Sequence, residues 1–137
     1  RLAALRERGV MIVGSGNIVH NLRMIQWRQT DMGYDWSHRF DDAAVELLSD
    51  RPGDVLRLTE HPDYDLAVPT PDHFVPVLYL AGLAQAAGQP LVPLLRGHTM
   101  GSISMTCLGL DADVPLRKDP ACAARLPEGV PPEQTNI

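Results

Sequence analysis

The stretch that decides the fold reads Gly9-Val10-Met11-Ile12-Val13-Gly14-Ser15-Gly16-Asn17-Ile18-Val19-His20-Asn21-Leu22. Its apolar run 10–13 predicts a buried strand, and the two glycines that follow predict a tight turn with a close approach of backbones. Asn17 can cap a helix that starts there, which places His20 in the first helical turn. Because ligands bind where the strands of an open α/β sheet end, the stretch predicts an α/β fold with His20 at that edge.

The residues before this stretch have the pattern of a helix end. Leu2 and Leu5 are three positions apart, basic residues fill the last turn, and Gly9 suits a C-terminal cap. The sequence opens in that helix without an initiator Met. We therefore expect a fragment, or the later half of a longer domain.

Two longer helices are predicted further along the chain. One runs from residue 35 or 37 to 48, because its apolar residues recur at i, i+3, i+4, i+7 and i+8 (Phe40, Ala43, Ala44, Leu47 and Leu48). The other has Thr70 as N-cap and Pro71 at its first position, and it ends at Gly88. His73 would then lie in its first turn, where the helix dipole keeps the imidazole neutral and able to bind a metal.

The last third of the chain predicts strands and then an irregular tail. Residues 91–95 suit an edge strand because they contain a proline, 97–101 suit a turn, and 102–107 alternate as in a strand with one buried face. Residues 111–137 contain five prolines and no periodicity, which predicts an irregular, partly disordered tail. The predicted fold is α/β, a central mixed sheet flanked by helices, with one domain over 1–110.

Composition excludes several classes of function. The net charge of -5 and pI near 5.4 argue against a nucleic acid or an anionic membrane as partner. No apolar run approaches the roughly 20 residues that span a bilayer. The cysteines, Cys107 and Cys122, have no metal-binding or redox spacing, so we expect a reduced, cytoplasmic protein.

Two histidines are the strongest candidates for chemistry. His20 and His73 each follow a loop at a predicted helix start, so they can converge on one side of the sheet. Two nitrogen ligands alone make a poor metal site, since zinc takes three or four protein ligands, and a lone histidine more often only hydrogen-bonds. The glycines match neither a dinucleotide fingerprint nor a nucleophile elbow. We expect His38 to face solvent and His61 to be structural or exposed, and we expect His98 to lie in a surface turn, with access to a pocket as the alternative.

Four motifs occur in a fixed order: Gly14-Ser15-Gly16-Asn17-Ile18-Val19-His20-Asn21-Leu22, then Tyr34-Asp35-Trp36 before Phe40-Asp41, then Pro69-Thr70-Pro71-Asp72-His73-Phe74-Val75-Pro76, then Met100-Gly101-Ser102-Ile103-Ser104-Met105. Together they closely resemble the DODA-type members of the class III (LigB-like) extradiol ring-opening dioxygenases. The resemblance covers about residues 1–110 and implies the C-terminal part of that fold.

The resemblance implies a non-haem metal enzyme that opens the ring of a catechol such as DOPA with O₂. The metal would be Fe(II), which Zn(II) often replaces in isolated samples. His73 would be a metal ligand, and His20 would be the catalytic acid–base or an additional metal ligand. From their positions beside His20 alone, we expect Asn17 and Asn21 to shape the substrate pocket. The metal polarises the catechol oxygens, and a neutral histidine removes a hydroxyl proton and later returns it.

The resemblance also implies a divided site. The family's other two metal histidines lie in an N-terminal half, one near a His-Gly-Ser/Ala-Pro motif, and nothing in this sequence corresponds to them. We therefore expect weak metal binding, or none, and little activity from this chain alone. An N-terminal half or a second copy would cover the apolar surface left open. The alternatives are a non-catalytic, self-associating domain and a metal-dependent hydrolase that uses the same two histidines.

Overall fold

A computed structural model describes residues 2–112, in which α-helices lie beside two small antiparallel sheets. The α-helices are Ala3–Arg6 (α1), Asp35–Asp50 (α2), Tyr64–Ala67 (α3) and Val75–Ala87 (α4), and 3₁₀ helices span Leu22–Met24 and Pro52–Glu60. The strands are Val92–Leu95 (β1), His98–Thr99 (β2), Ile103–Ser104 (β3) and Cys107–Gly109 (β4). The predicted α/β class is confirmed. The predicted tail lies outside the described residues from residue 113 onward, as does Cys122.

The core forms around α2, whose apolar face follows the helical period. Phe40, Ala44 and Leu48 are fully buried on that face. They pack with residues of the 3₁₀ helix Pro52–Glu60, of α4 and of the segment before His20 (Val55, Leu58, Ala81, Ala84, Ile18 and Val19). The predicted helix is confirmed, and it extends to Asp50. Residues 55–59, which fit either a strand or a helical turn, are 3₁₀ helix. Within residues 2–112, every helix is too short or too polar to cross a bilayer.

Helix α4 begins later than its sequence predicts. The start predicted at Pro71 is wrong, because residues 72–74 form a turn and α4 starts at Val75. Pro76 has no N–H to donate to the carbonyl of residue 72. The regular α-helical hydrogen bonds therefore do not extend one turn earlier. His73 therefore lies in the turn before the helix. The predicted end is confirmed, since Gly88 caps α4 in the left-handed conformation with φ 64°.

The two sheets are short and antiparallel. β1 pairs with β4, and the register shifts between Pro93 and Leu95, which confirms the strand and the irregularity predicted at the proline. β2 pairs with β3, so the region 97–101 contains a strand in addition to the predicted turn. An antiparallel bridge joins Ile103 to His20, which attaches the histidine segment to the free side of β3.

The segment between α1 and His20 departs most from its prediction. Gly9, three residues after the end of α1, is left-handed with φ 74°, and the N–H of Val10 donates to the carbonyl of Leu5, which confirms the predicted glycine cap. The strand predicted over 10–13 and the turn predicted over 14–16 are both wrong. Residues 10–17 form no turn or bend and pair with no strand within residues 2–112.

Candidate metal and acid–base site

The rings of His20 and His73 lie stacked against each other. Their centroids are 3.6 Å apart and their planes differ by 9°. The structure thus brings together the two histidines that the sequence singles out. The His73 side chain is 40% exposed, and His20 is half-buried, so the pair lies at an open surface.

Backbone pairing with residues 102–104 holds His20. The carbonyl of Val19 accepts from Ser104 N–H at 3.0 Å, and Asn21 N–H donates to the carbonyl of Ser102 at 3.1 Å. The N–H of His20 itself donates to the carbonyl of Ala67 at 2.9 Å. The helix start predicted at Asn17 is wrong, because these strand-like bonds occupy the backbone groups that a helix would need.

Two buried serines reinforce this pairing. Ser102 Oγ donates to the carbonyl of Asn21 at 2.7 Å, and Ser104 Oγ accepts from Val19 N–H at 3.3 Å. Both serines are fully buried, whereas Met105 is exposed, so the buried face of the alternating segment 102–107 includes its polar residues. Sequence reasoning gave these serines no role. Their alternation within the motif around residues 100–105 is the one signal that could have found them.

A direct backbone contact joins the two histidine segments. Asn17 N–H donates to the carbonyl of His73 at 3.0 Å, and a methyl group at Gly16 would overlap that carbonyl oxygen. The close approach of backbones predicted for the glycines therefore exists, although it occurs without the predicted turn. The separation of the histidines depends on this contact.

Replacing Gly16 by alanine is expected to destabilise the fold by about 1–3 kcal/mol, because the new methyl group must push the two backbones apart. Gly82→Ala is the matched control, since the new methyl group meets no atom within 4 Å and alanine favours the helix by up to about 1 kcal/mol. Urea unfolding of both variants measures the difference. Equal midpoints would contradict the close contact.

The electrostatics of the pair favour a neutral His20. Burial lowers the pKa of His20, the neighbouring His73 lowers it further, and Asp72 opposes both effects. The hydroxyl of Thr70 lowers the pKa of Asp72, whose Oδ2 lies 3.6 Å from Nε2 of His73. A neutral imidazole can accept a proton or bind a metal.

The described residues can supply two ligands for a metal. His73 Nδ1 is buried and has no hydrogen-bond partner within residues 2–112, so that nitrogen is unsatisfied. No group of three or more His, Cys, Asp or Glu side chains suited to a metal ion occurs in that part of the chain. Imidazole nitrogen suits a metal that prefers nitrogen ligands, but both rings can bind one ion in their own planes only after one of them turns out of the stack, and further ligands must come from elsewhere.

The two asparagines predicted to shape the pocket flank His20. Asn17 Nδ2 donates to the carbonyl of Ser104 at 2.8 Å. Asn21 is buried, and its Nδ2 donates to the carbonyl of Leu66. Its Oδ1 accepts from Arg23 N–H, so the Asn21 side chain caps the 3₁₀ helix Leu22–Met24. Both side chains thus support the backbone around His20, and contact with a substrate stays a prediction.

The other histidines lie in different surroundings. His61 Nδ1 accepts from Asp63 N–H, a structural contact. His38 is exposed and packs on His98, with ring centroids 4.0 Å apart. The surface turn predicted for His98 is wrong, because this half-buried residue is in β2, and its Nε2 has no hydrogen-bond partner among the described residues.

Acidification is expected to destabilise the fold through His98. Burial lowers its pKa, His38 lowers it further, and Asp41 opposes them. The unfolded chain takes up this proton near pH 6.5 and the folded chain only at lower pH, so the free energy of unfolding falls as pH drops below about 7. Urea unfolding between pH 7.5 and 5 measures the slope. It should be shallower in His98→Asn, and identical slopes would contradict the prediction.

Three comparisons with known proteins were made for this chain, and all three found a match. Residues 2–106 match the family described as the catalytic LigB subunit of aromatic ring-opening dioxygenase. The chain is 38% identical over 109 residues to 4,5-DOPA dioxygenase extradiol from Escherichia coli (strain K12). The matched region covers 77% of this chain and 40% of that protein. It also resembles the crystal structure of an uncharacterized protein from Escherichia coli K12, with a TM-score of 0.69 and 36% identity over 78% of this chain and 45% of the other.

The chain therefore spans less than half the length of the relatives that it matches. The family match nevertheless covers most of the described residues, including both stacked histidines and the buried serines. The chain belongs to the LigB family of aromatic ring-opening dioxygenases.

Proposed function

We propose that this chain is part of an extradiol dioxygenase that opens a catechol ring, with DOPA as a representative substrate and O₂ as co-substrate. The observation that carries the proposal is the stacking of His20 on His73 inside the region that matches the family. The printed name of the E. coli relative, a DOPA dioxygenase, supports the substrate class. In this proposal residues 1–110 belong to the catalytic domain.

We propose Fe(II) as the working metal, with Zn(II) able to take its place. The buried, unsatisfied Nδ1 of His73 and the neutral ring of His20 suit such an ion. When bound, Fe(II) supplies Lewis-acid polarisation of the catechol oxygens and a binding position for O₂. The remaining ligands would come from the complementary part, which is the part of the relatives that this chain does not match.

His73 and His20 have different roles in this proposal. His73 is the metal ligand, while His20 accepts the proton of the second catechol hydroxyl on its imidazole and later returns it to the product. The lowered pKa of His20 keeps its ring neutral, and therefore able to accept this proton, at neutral pH. The alternative role of His20, as an additional ligand, requires the rings to leave their parallel stack, because an imidazole nitrogen binds a metal in the plane of its ring.

The surrounding polar residues would orient His20. Ser102 and Ser104 fix the backbone on either side of it, and Asn17 connects this backbone to the carbonyl of His73. The proposed effect of Asn17 and Asn21 on the pocket acts through these contacts. A proton acceptor held in this way loses little conformational freedom when substrate binds.

The test combines the chain with the complementary part of the E. coli relative, expressed together, and supplies Fe(II), O₂ and DOPA. We expect O₂ uptake and the absorbance of a ring-opened product, and neither from the chain alone. Iron content is measured on the same sample. An assembled, iron-loaded sample that consumes no O₂ with any catechol would contradict the proposal and favour a hydrolase or a non-catalytic domain.

A further inference from the structure

The ring of His98 in β2 lies against α2 among buried polar groups. We propose that protonation of this ring opens the β2–β3 hairpin locally and releases the backbone pairing that holds His20. His98 is then a pH sensor for the position of the His20 segment, residues 19–21. The inference does not rest on the proposed catalytic activity, and its test requires neither metal nor catechol.

The His98 ring is closely enclosed by α2 and by the backbone at Gly33. It packs on the ring of His38, with centroids 4.0 Å apart and planes tilted by 49°. A methyl group at Gly33 would lie 2.6 Å from Nε2 of His38 and 2.7 Å from Cγ of His98, so both rings contact this backbone. The ring of His98 therefore cannot turn far unless β2 moves away from α2.

The charged groups that face His98 come from α2 and from the connection between β1 and β2. Helix α2 contributes His38 and Asp41, and the connection contributes Arg96. Ser104, which pairs with His98 in β3, is neutral. Burial and then His38 lower the pKa of His98, whereas Asp41 and a backbone hydrogen bond raise it. Arg96 also lowers this pKa. The ring is therefore neutral in the closed hairpin at neutral pH.

A proton added to His98 has no acceptor in the closed hairpin. Nε2 of His98 is buried and has no hydrogen-bond partner among residues 2–112. Oδ1 of Asp41 is also buried without a partner, because Arg96 and Thr106 both donate to Oδ2. Since no hydrogen bond joins Nε2 to that oxygen, a protonated ring must leave its place to reach either Asp41 or water. Protonation therefore favours separation of β2 from α2.

Strand β3 lies between β2 and the His20 segment. His98 pairs with Ser104 on one side of β3. On the other side, residues 102 and 104 form backbone hydrogen bonds with residues 21 and 19. Without β2, only a two-stranded pair remains, and such a pair is marginally stable in water. Opening at His98 therefore extends to the hydrogen bonds that hold the His20 segment.

The other histidines outside the stacked pair fit this role less well. His38 is exposed, so it can take up a proton without a change in the backbone. His61 packs on Phe40, and its Nδ1 already accepts from the N–H of Asp63. His98 is in β2 itself, so a displacement of its ring acts directly on the hairpin.

Hydrogen exchange of the full chain at pH 7.5 and 5.5 tests the inference, with each rate corrected for the intrinsic effect of pH on amide exchange. The reporters are the amides of Asn21 and Ser104, which form hydrogen bonds between β3 and the His20 segment. We expect their protection to fall roughly fivefold to tenfold at pH 5.5. One proton of ordinary pKa about 6.5, taken up on opening, changes the equilibrium by no more than about tenfold over this range.

Low concentrations of urea distinguish a local opening from global unfolding. Amides that exchange through global unfolding lose protection steeply with urea, whereas a local opening exposes little surface and depends weakly on urea. We expect Asn21 and Ser104 to show the weak dependence at pH 5.5, and the core amides of Ala44 and Leu48 in α2 to show the steep one. An equally steep dependence at all four amides would overturn the inference.

The variant His98→Asn removes the titrating ring and keeps a polar side chain. We expect the change in protection between the two pH values to become less than about twofold at Asn21 and Ser104. His61→Gln is the matched control and should keep the wild-type change. A wild-type pH effect in His98→Asn would show that another group opens the hairpin, and it would contradict the proposal.

The variant His38→Asn decides the question if His98→Asn does not fold. Removal of the neighbouring ring raises the pKa of His98 towards its ordinary value, so the loss of protection at pH 5.5 should be smaller than in the wild type. An equal or larger loss would overturn the inference. The expected pH response in a chain whose assembly fails to open catechol leaves this inference intact and contradicts the proposed function.

Discussion

Replacing His20 by glutamine is expected to lower catechol ring opening about 10²–10⁴-fold, measured in the chain assembled with the complementary part. Glutamine keeps a polar side chain of similar reach but cannot accept the hydroxyl proton, and loss of a positioned acid–base has an effect of this size. The lowered pKa of His20 predicts that the wild-type rate depends little on pH near neutrality. Oxygen uptake with DOPA measures the rate.

The comparison with His73→Ala separates the two roles. We expect His73→Ala to lose bound iron, whereas His20→Gln retains much of it. His61→Gln is the control, because that ring packs on Phe40 and makes only a local hydrogen bond. A rate for His20→Gln within threefold of wild type would show that His20 is not the acid–base.

Replacing Arg96 by methionine is expected to destabilise the fold by about 3 kcal/mol. Asp41 is fully buried, and its Oδ2 accepts from Arg96 Nη2 at 2.7 Å and from Thr106 Oγ1 at 2.8 Å. Removal of the cation leaves a buried carboxylate with a single neutral donor, a change that costs about 3–5 kcal/mol. The lower end applies because Arg96 is 36% exposed, so water can reach the site. Urea unfolding gives the free energy.

Arg51→Met is the control for this prediction. Arg51 pairs with Asp50 and Asp54 at the exposed end of α2, and such surface pairs contribute about 1 kcal/mol or less. In the double variant Arg96→Met/Asp41→Leu the cost should be smaller than the sum of the single changes. Equal destabilisation by Arg96→Met and Arg51→Met would contradict a structural role for the buried pair.

The features that the sequence predicts well are those that local forces determine. The helix around Phe40 and Leu48 has a strong apolar period, and Gly9 and Gly88 adopt the left-handed conformation that a helix end favours. The proline in β1 marks an irregular register. Each of these depends on residues within a few positions of one another.

The predictions that are wrong concern backbone groups with distant partners. Nothing near Asn17 reveals that the segment 18–21 pairs with residues 102–104 instead of forming a helix. Residues 10–13 have the composition of a strand but pair with none in the described part of the chain. Pairing at such sequence separation is not encoded in local pattern.

The candidate site could be predicted in part for the same reason. His20 and His73 were identifiable from position and from family motifs, and they do meet. The helix starts used to place them are wrong, whereas the close approach at Gly16 holds. The burial of Ser102 and Ser104 is not predictable from the sequence, because polar residues in an alternating strand normally face water.

The late start of α4 has a consequence for how the site responds to mutation. Val77 N–H donates to the carbonyl of Phe74, so the carbonyl of His73 is left for Asn17. One peptide-to-peptide bond therefore spaces the backbones of the two histidine segments, and the side-chain torsions of His20 and His73 then bring the rings into their stack. Side-chain substitutions nearby can change the polarity and shape around the rings while the two backbones keep their separation.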